Sequence, residues 1–379
     1  MLLRVAASSD SVIIDAKLYT RINGMPDAIW IDRDDELPAL AQAVASQAWI
    51  GVDTEFLRER TFFPKLCLLQ LAAGGRIWCV DTLRIGLDPL MPALTSAAAR
   101  KVIHSARQDL EAVYLSTKRV MSPVFDTQIA AACIGLKPQV GYAELVKTLL
   151  DVTIPKGQTR TDWSKRPLTR AQLDYAADDV LYLGDVANHL SARLRELGRE
   201  HWVLEDCLAL EDIQLYEPDP AQAWSRLRGL AQLAPASRGR AKTIAIWREK
   251  QARIRDLPRA WILPDADIFI VAQGAPPPLN DSLAASLASA LEQASADELD
   301  QEPSQDARPT PEQKAVIERL TKIVDSRALE LQISAEVLAP RGEIKALAMG
   351  MRAGALRDSH ALTGWRREEI GTRLLDAMD

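Results

Sequence analysis

The stretch Gly51-Val52-Asp53-Thr54-Glu55-Phe56 decides how the rest of the chain is read. It continues the apolar run Ala48-Trp49-Ile50, and the pattern predicts the end of a buried β-strand. Side chains alternate faces along a strand, so Asp53 and Glu55 share one face. Neighbouring carboxylates repel, and burying them without a partner is costly. Either the two acids sit at a solvated strand end or a cation lies between them. Oxygen-only ligands suit hard ions such as Mg²⁺ or Mn²⁺.

Around this strand, elements alternate. Residues 34–46 carry Leu37, Leu40, Ala41 and Val44 at helical spacing. After the acidic strand, Leu66-Cys67-Leu68-Leu69-Gln70-Leu71 predicts a central strand, Ala73-Gly74-Gly75-Arg76 a hairpin turn, and Ile77-Trp78-Cys79-Val80 the returning strand. Residues 87–99 read as a helix. Two short strands follow, at 101–104 and 123–126, each leading into a helix, with Ser105 and Thr127 at the helix starts. Residues 141–150 are helical. A polar loop containing Lys156, Arg160, Trp163 and Arg166 then precedes a long helix from Thr169 to about Leu197. The expected fold is a mixed five-stranded α/β sheet, an antiparallel meander continued by parallel strands.

Length and charge divide the rest. A chain of 379 residues exceeds one ordinary core. The expected division is an N-terminal extension over 1–24, an α/β domain over 25–216, a helical domain over 217–292, an acidic linker over 293–311 and a second helical segment over 312–379. Net charge is −6, but it is segregated: residues 221–263 hold ten Lys/Arg against two acids, a local +8, while 281–313 hold eight acids against one base. No apolar run approaches membrane-spanning length, and the N-terminus lacks a secretory pattern. Cys67, Cys79, Cys133 and Cys207 have no zinc-like or redox spacing, which fits a reducing cytoplasm.

Three further residues join Asp53 and Glu55. Asp109 stands near the start of the helix after the fourth strand. Tyr175 and Asp179 lie four apart, one turn along a helix face. Taken singly, Asp109 reads as a helix-dipole acid, Tyr175 as a core aromatic, His104 as a strand-end hydrogen-bonding residue, and Asp174 and Asp178 as a solvated helix face. Together, Asp53-Thr54-Glu55, His104-x4-Asp109 and Tyr175-x3-Asp179 resemble the three motifs of the DEDD exonuclease superfamily, in its tyrosine branch. Leu66-x-Leu68-Leu69-Gln70-Leu71, Phe125-Asp126-Thr127 and Trp163-Ser164-x-Arg166-Pro167-Leu168 narrow the resemblance to the ribonuclease D family. Trp224-x-Arg226-Leu227, Ile246-Trp247-Arg248 and Pro258 resemble an HRDC helical module, and residues 312–379 a degenerate second one.

The resemblance implies a ribonuclease H-like fold and a 3′→5′ exoribonuclease that releases nucleoside 5′-monophosphates. It implies two divalent ions, Mg²⁺ or Mn²⁺, held by Asp53, Glu55, Asp109 and Asp179. Asp53 bridges them, Glu55 and Asp179 hold the ion that carries the attacking water, Asp109 supports the other, and Tyr175 orients the water. Lys156, Arg160, Trp163 and Arg166 are candidate substrate contacts, although Trp163 reads first as a packing anchor. The implied substrate is RNA, tRNA precursors in particular; no protein partner is implied, and the oligomeric state is left open, with a monomer slightly favoured. The alternatives are a DNA 3′→5′ exonuclease and an inactive RNA-binding scaffold. The tryptophans of the basic stretch read as core residues ahead of a nucleic-acid surface.

Overall fold

The computed structural model describes residues 18–19, 28–155, 157, 161–294, 309–350 and 359–378. Among these residues seven strands form one mixed sheet: β1 (Leu18–Tyr19), β2 (Ala28–Ile31), β3 (Trp49–Leu57), β4 (Lys65–Ala73), β5 (Arg76–Val80), β6 (Arg100–Ile103) and β7 (Val124–Asp126), in the order β1-β2-β5-β4-β3-β6-β7. β3, β4 and β5 form the expected antiparallel meander, closed by Gly74 and Gly75 at φ +56° and +74°. β6 pairs parallel to β3, and β7 parallel to β6.

The expected count of five strands is corrected to seven. β2 lies parallel to β5 and is four residues long, too short for alternation to stand out in the sequence. β1 has two residues and falls inside the expected N-terminal extension.

The helices of this half are α1 (Leu37–Ala45), α2 (Met91–Leu94), α3 (Arg107–Thr117), α4 (Thr127–Cys133), α5 (Tyr142–Leu150), α6 (Arg170–Leu181), α7 (Leu183–Leu197) and α8 (Glu200–Leu210). Thr169 and Gln172 form a capping box that starts α6. The expected single helix to Leu197 is instead two, separated at Tyr182, where φ −100° and ψ 2° leave the helical region. Ser105 does not cap α3. It stands at φ +61°, and the Asp126 carboxylate accepts the Ser105 and Ala106 N–H groups at 3.1 and 2.8 Å. The same carboxylate caps α4 through Gln128 and Ile129.

From Glu200 onward every described element is helical. α9 (Pro235–Arg255), α10 (Arg259–Ile262), α11 (Asp265–Ala272) and α12 (Asp281–Gln293) enclose a core of their own, built on Leu227, Ile244, Trp247, Leu263 and Ile268. Phe62, from the loop after β3, packs against that core, and Asp256 accepts the Phe62 and Phe63 N–H groups at 3.1 and 3.0 Å. α13 (Pro311–Leu331), α14 (Ala335–Leu338), α15 (Arg341–Ala348) and the closing turns join the sheet's core instead. There the indoles of Trp202 and Trp365 stack at 4.0 Å, and Arg366 grips Asp206 with two nitrogens. Most of the expected acidic linker lies outside the described residues.

Candidate active site

β3 places Asp53 and Glu55 on one face, as the two-residue period requires. Gly51 lies on the same face, two residues earlier. A Cβ there would stand 3.3 Å from the Val180 carbonyl oxygen and the Leu183 side chain. The end of α6 therefore lies close over this face and brings Asp179, just before Val180, onto the strand acids. Carboxylate oxygens of Asp53, Glu55 and Asp179 all come within 4.8 Å of one another. All three keep partial solvent access.

Asp109 stands beside this trio rather than in it. It is buried in the first turn of α3 and accepts a hydrogen bond from the Thr54 hydroxyl at 2.5 Å. Thr54, between the two strand acids, thus ties the second motif to the first. Sequence reading missed this contact, because residues 55 positions apart give no local signal.

The electrostatics are those of an uncompensated acid cluster. Burial, then repulsion from Asp179 and Asp109, pushes Glu55 up to about 9. Burial, Asp109, Asp179 and Glu55 together hold Asp53 well above the usual carboxylate range. Asp179 rises to about 7 through burial, while the Tyr175 hydroxyl pulls it the other way. Asp109 rises to about 7, again chiefly by burial. A bound cation would reverse each shift by compensating the charges. The donor set is all oxygen, which matches a hard divalent ion.

Tyr175 is half-buried, with its ring 6.1 Å from that of Trp163. Gly157 lies against it so closely that a Cβ at position 157 would stand 2.6 Å from Tyr175 Cδ2. Burial and the neighbouring acids raise the phenol far above its ordinary value, so it stays protonated at neutral pH.

The candidate substrate contacts separate. Lys156 and Arg160 lie outside the described residues. Trp163 is 2% exposed and supports Tyr175. Arg166 is bound internally: its Nε and one terminal nitrogen hold Asp81 at 2.8 and 2.7 Å, and it also donates to the carbonyls of Cys67 and Trp163. Both side chains are parts of the framework under α6, in line with the reading of Trp163 as a packing anchor. His104 is structural as expected, its ring nitrogens 2.9 Å from the Thr127 hydroxyl oxygen and 3.0 Å from the Val140 carbonyl oxygen. Asp174 pairs with Arg170, while Asp178 is buried rather than solvated.

Fold and site together define the class, a 3′→5′ exonuclease, and a family model described in those words matches residues 28–195. Ribonuclease D of Sphingobium indicum is 33% identical over 357 residues, 89% of this chain and 90% of that one. Ribonuclease D of Pseudomonas paraeruginosa is 34% identical over 372 residues, 93% and 98% of the two chains. Among solved structures, Escherichia coli RNase D, an exoribonuclease involved in structured RNA processing, matches with a TM-score of 0.79 at 28% identity, over 92% of this chain and 98% of that chain. The catalytic core of RRP6 from Trypanosoma brucei shares the fold, with a TM-score of 0.58 at 21% identity over 74% and 82% of the two chains. The chain belongs to the ribonuclease D family of 3′→5′ exoribonucleases. No helix among the described residues is long and apolar enough to cross a membrane.

Proposed function

We propose that the chain removes nucleoside 5′-monophosphates from the 3′ end of RNA at a site where Asp53, Glu55, Asp109 and Asp179 hold two divalent ions, Mg²⁺ or Mn²⁺. One observation carries this reading: three carboxylates, converging within 4.8 Å in a partly buried site, need positive charge to ionise together. When bound, such a pair of ions stabilises the charge on the attacking and leaving oxygens of an in-line displacement. The protein's own part is positional. Asp53, Glu55 and Asp179 would hold the ions directly, and Asp109, held by Thr54, would complete the set from α3.

Tyr175 orients the attacking water through a hydroxyl that remains protonated. Tyr175→Phe should lower kcat about a hundredfold, the scale of a small misplacement of a reacting group, and leave the Mn²⁺ concentration for half-activation unchanged. Mn²⁺ titrations of both proteins check this, and an unchanged kcat would return Tyr175 to a packing role.

The helical part supplies grip on structured RNA, as two HRDC-like modules, with tRNA precursors as the substrate class. Its formal charge overstates that grip. Arg226, Arg253 and Arg259 converge on the buried Glu249, Arg248 pairs with Asp265, and Lys242 lies over the Trp224 ring. Trp247 is core, as expected, while Trp261 is 61% exposed. Arg228, Arg240 and Lys250 are exposed, with no ion pair among the described residues. Replacing these three by Ala should flatten the dependence of log affinity on log salt by about 0.7 for each phosphate contact to single-stranded RNA, with little change in cleavage of a dinucleotide. Binding titrations at several salt concentrations test it; an unchanged slope removes this surface from RNA binding. The four cysteines are buried and unpaired, which supports a reducing cytoplasm.

A further inference from the structure

Gln70 is the one residue among those described whose side chain leaves both a buried donor and a buried acceptor without a partner. It is 0% exposed, and neither Nε2 nor Oε1 has a hydrogen bond. Native cores rarely tolerate such a group, because desolvating an amide costs free energy that only a hydrogen bond returns. Nothing in the strand demands it. β4 is central, and Leu66, Leu68, Leu69 and Leu71 around position 70 are all buried apolar residues. An apolar side chain at 70 would serve the fold better.

Its register supplies the reason. Gln70 stands directly opposite Asp53 in the antiparallel β3–β4 pair. Opposite residues share a face, with Cβ atoms about 5 Å apart, a gap that the longer glutamine side chain spans. This is the face over which α6 brings Asp179. Asp53 receives a backbone hydrogen bond from Thr54 but has no side-chain donor among the described residues, and three other acids repel it.

We propose that Gln70 is a positioning residue for Asp53: its Nε2 donates to the Asp53 carboxylate in the metal-loaded enzyme and fixes the orientation in which that carboxylate bridges. The cost of burying the amide is then a cost of preorganising the site. The proposal rests on the reading of Asp53, Glu55 and Asp179 as metal ligands. It adds a residue from a strand that otherwise looks purely structural.

The test is Gln70→Met, which keeps an unbranched chain of similar volume and removes the hydrogen-bonding groups. Three quantities are measured on the full chain: the metal-free Tm, the rise in Tm on adding Mn²⁺, and kcat and KM on RNA. The expected result is a metal-free Tm equal to or above that of the parent, a smaller Mn²⁺ shift, and a kcat lowered about tenfold or more with KM unchanged. An unchanged kcat and an unchanged Mn²⁺ shift would overturn the proposal. So would a lower metal-free Tm, which would make the amide a contributor to the fold. A parent protein showing no Mn²⁺ shift would instead overturn the metal-site reading itself, so the two failures are distinguishable.

Discussion

Asp53→Asn should lower kcat on RNA by about 1,000-fold or more, a loss of about 4 kcal/mol of transition-state stabilisation, while RNA affinity stays close to that of the parent. The carboxylate lies within a trio whose oxygens are all within 4.8 Å of one another, and it faces repulsion from Asp109, Asp179 and Glu55. Asparagine keeps the shape and offers one neutral oxygen in place of a charged bidentate ligand. The exposed cations Arg228, Arg240 and Lys250 are untouched, so binding survives. The same change removes a carboxylate that folding buries among other acids, so the metal-free variant should be at least as resistant to urea as the parent. Single-turnover kinetics with filter binding separate the two effects. Loss of binding in step with activity would mean that Asp53 supports the fold rather than the chemistry.

Trp365→Ala should destabilise the protein by about 3–5 kcal/mol, the usual cost of truncating a large buried aromatic side chain. Trp365 is 1% exposed, stacks on Trp202 at 4.0 Å and donates its indole N–H to Asp206 at 3.1 Å. The truncation leaves a cavity between α8 and the closing helices. It also deprives Asp206 of one donor, leaving Arg366 and, at 3.8 Å, His360 beside it. Because this region shares the sheet's core, the C-terminal segment and the sheet should unfold together in urea, with a lower midpoint. A loss below about 1 kcal/mol would show that the C-terminal segment adds little to that core.

What the sequence revealed followed from local periodicity. The face shared by Asp53 and Glu55 comes from a period of two, and that shared by Tyr175 and Asp179 from a four-residue step. The meander was legible from three apolar runs and a Gly-Gly turn. The two added strands were not: β2 is Ala-Ile-Trp-Ile, too short to show a period, and its pairing with β5 joins segments far apart in sequence. The same limit governs side chains. Arg166 in a polar loop looks like a phosphate contact until Asp81, 85 positions earlier, is found in its grip. The charge of residues 221–263 looks solvent-directed until Glu249 is found buried beneath three arginines. Gln70 is read as one more residue of an apolar strand until its register with Asp53 is known. Periodicity also says that α13 has an apolar face but not which core that face joins.

The most direct test of the account follows RNA labelled at its 5′ end on a sequencing gel, with Mg²⁺, Mn²⁺ or EDTA, for the parent and for Asp53→Asn. The account predicts a ladder that shortens stepwise from the 3′ end with either metal, no ladder in EDTA, and none from Asp53→Asn under any condition. Digestion in EDTA, or a ladder from Asp53→Asn matching the parent's, would contradict the assignment of the chemistry to this acid cluster.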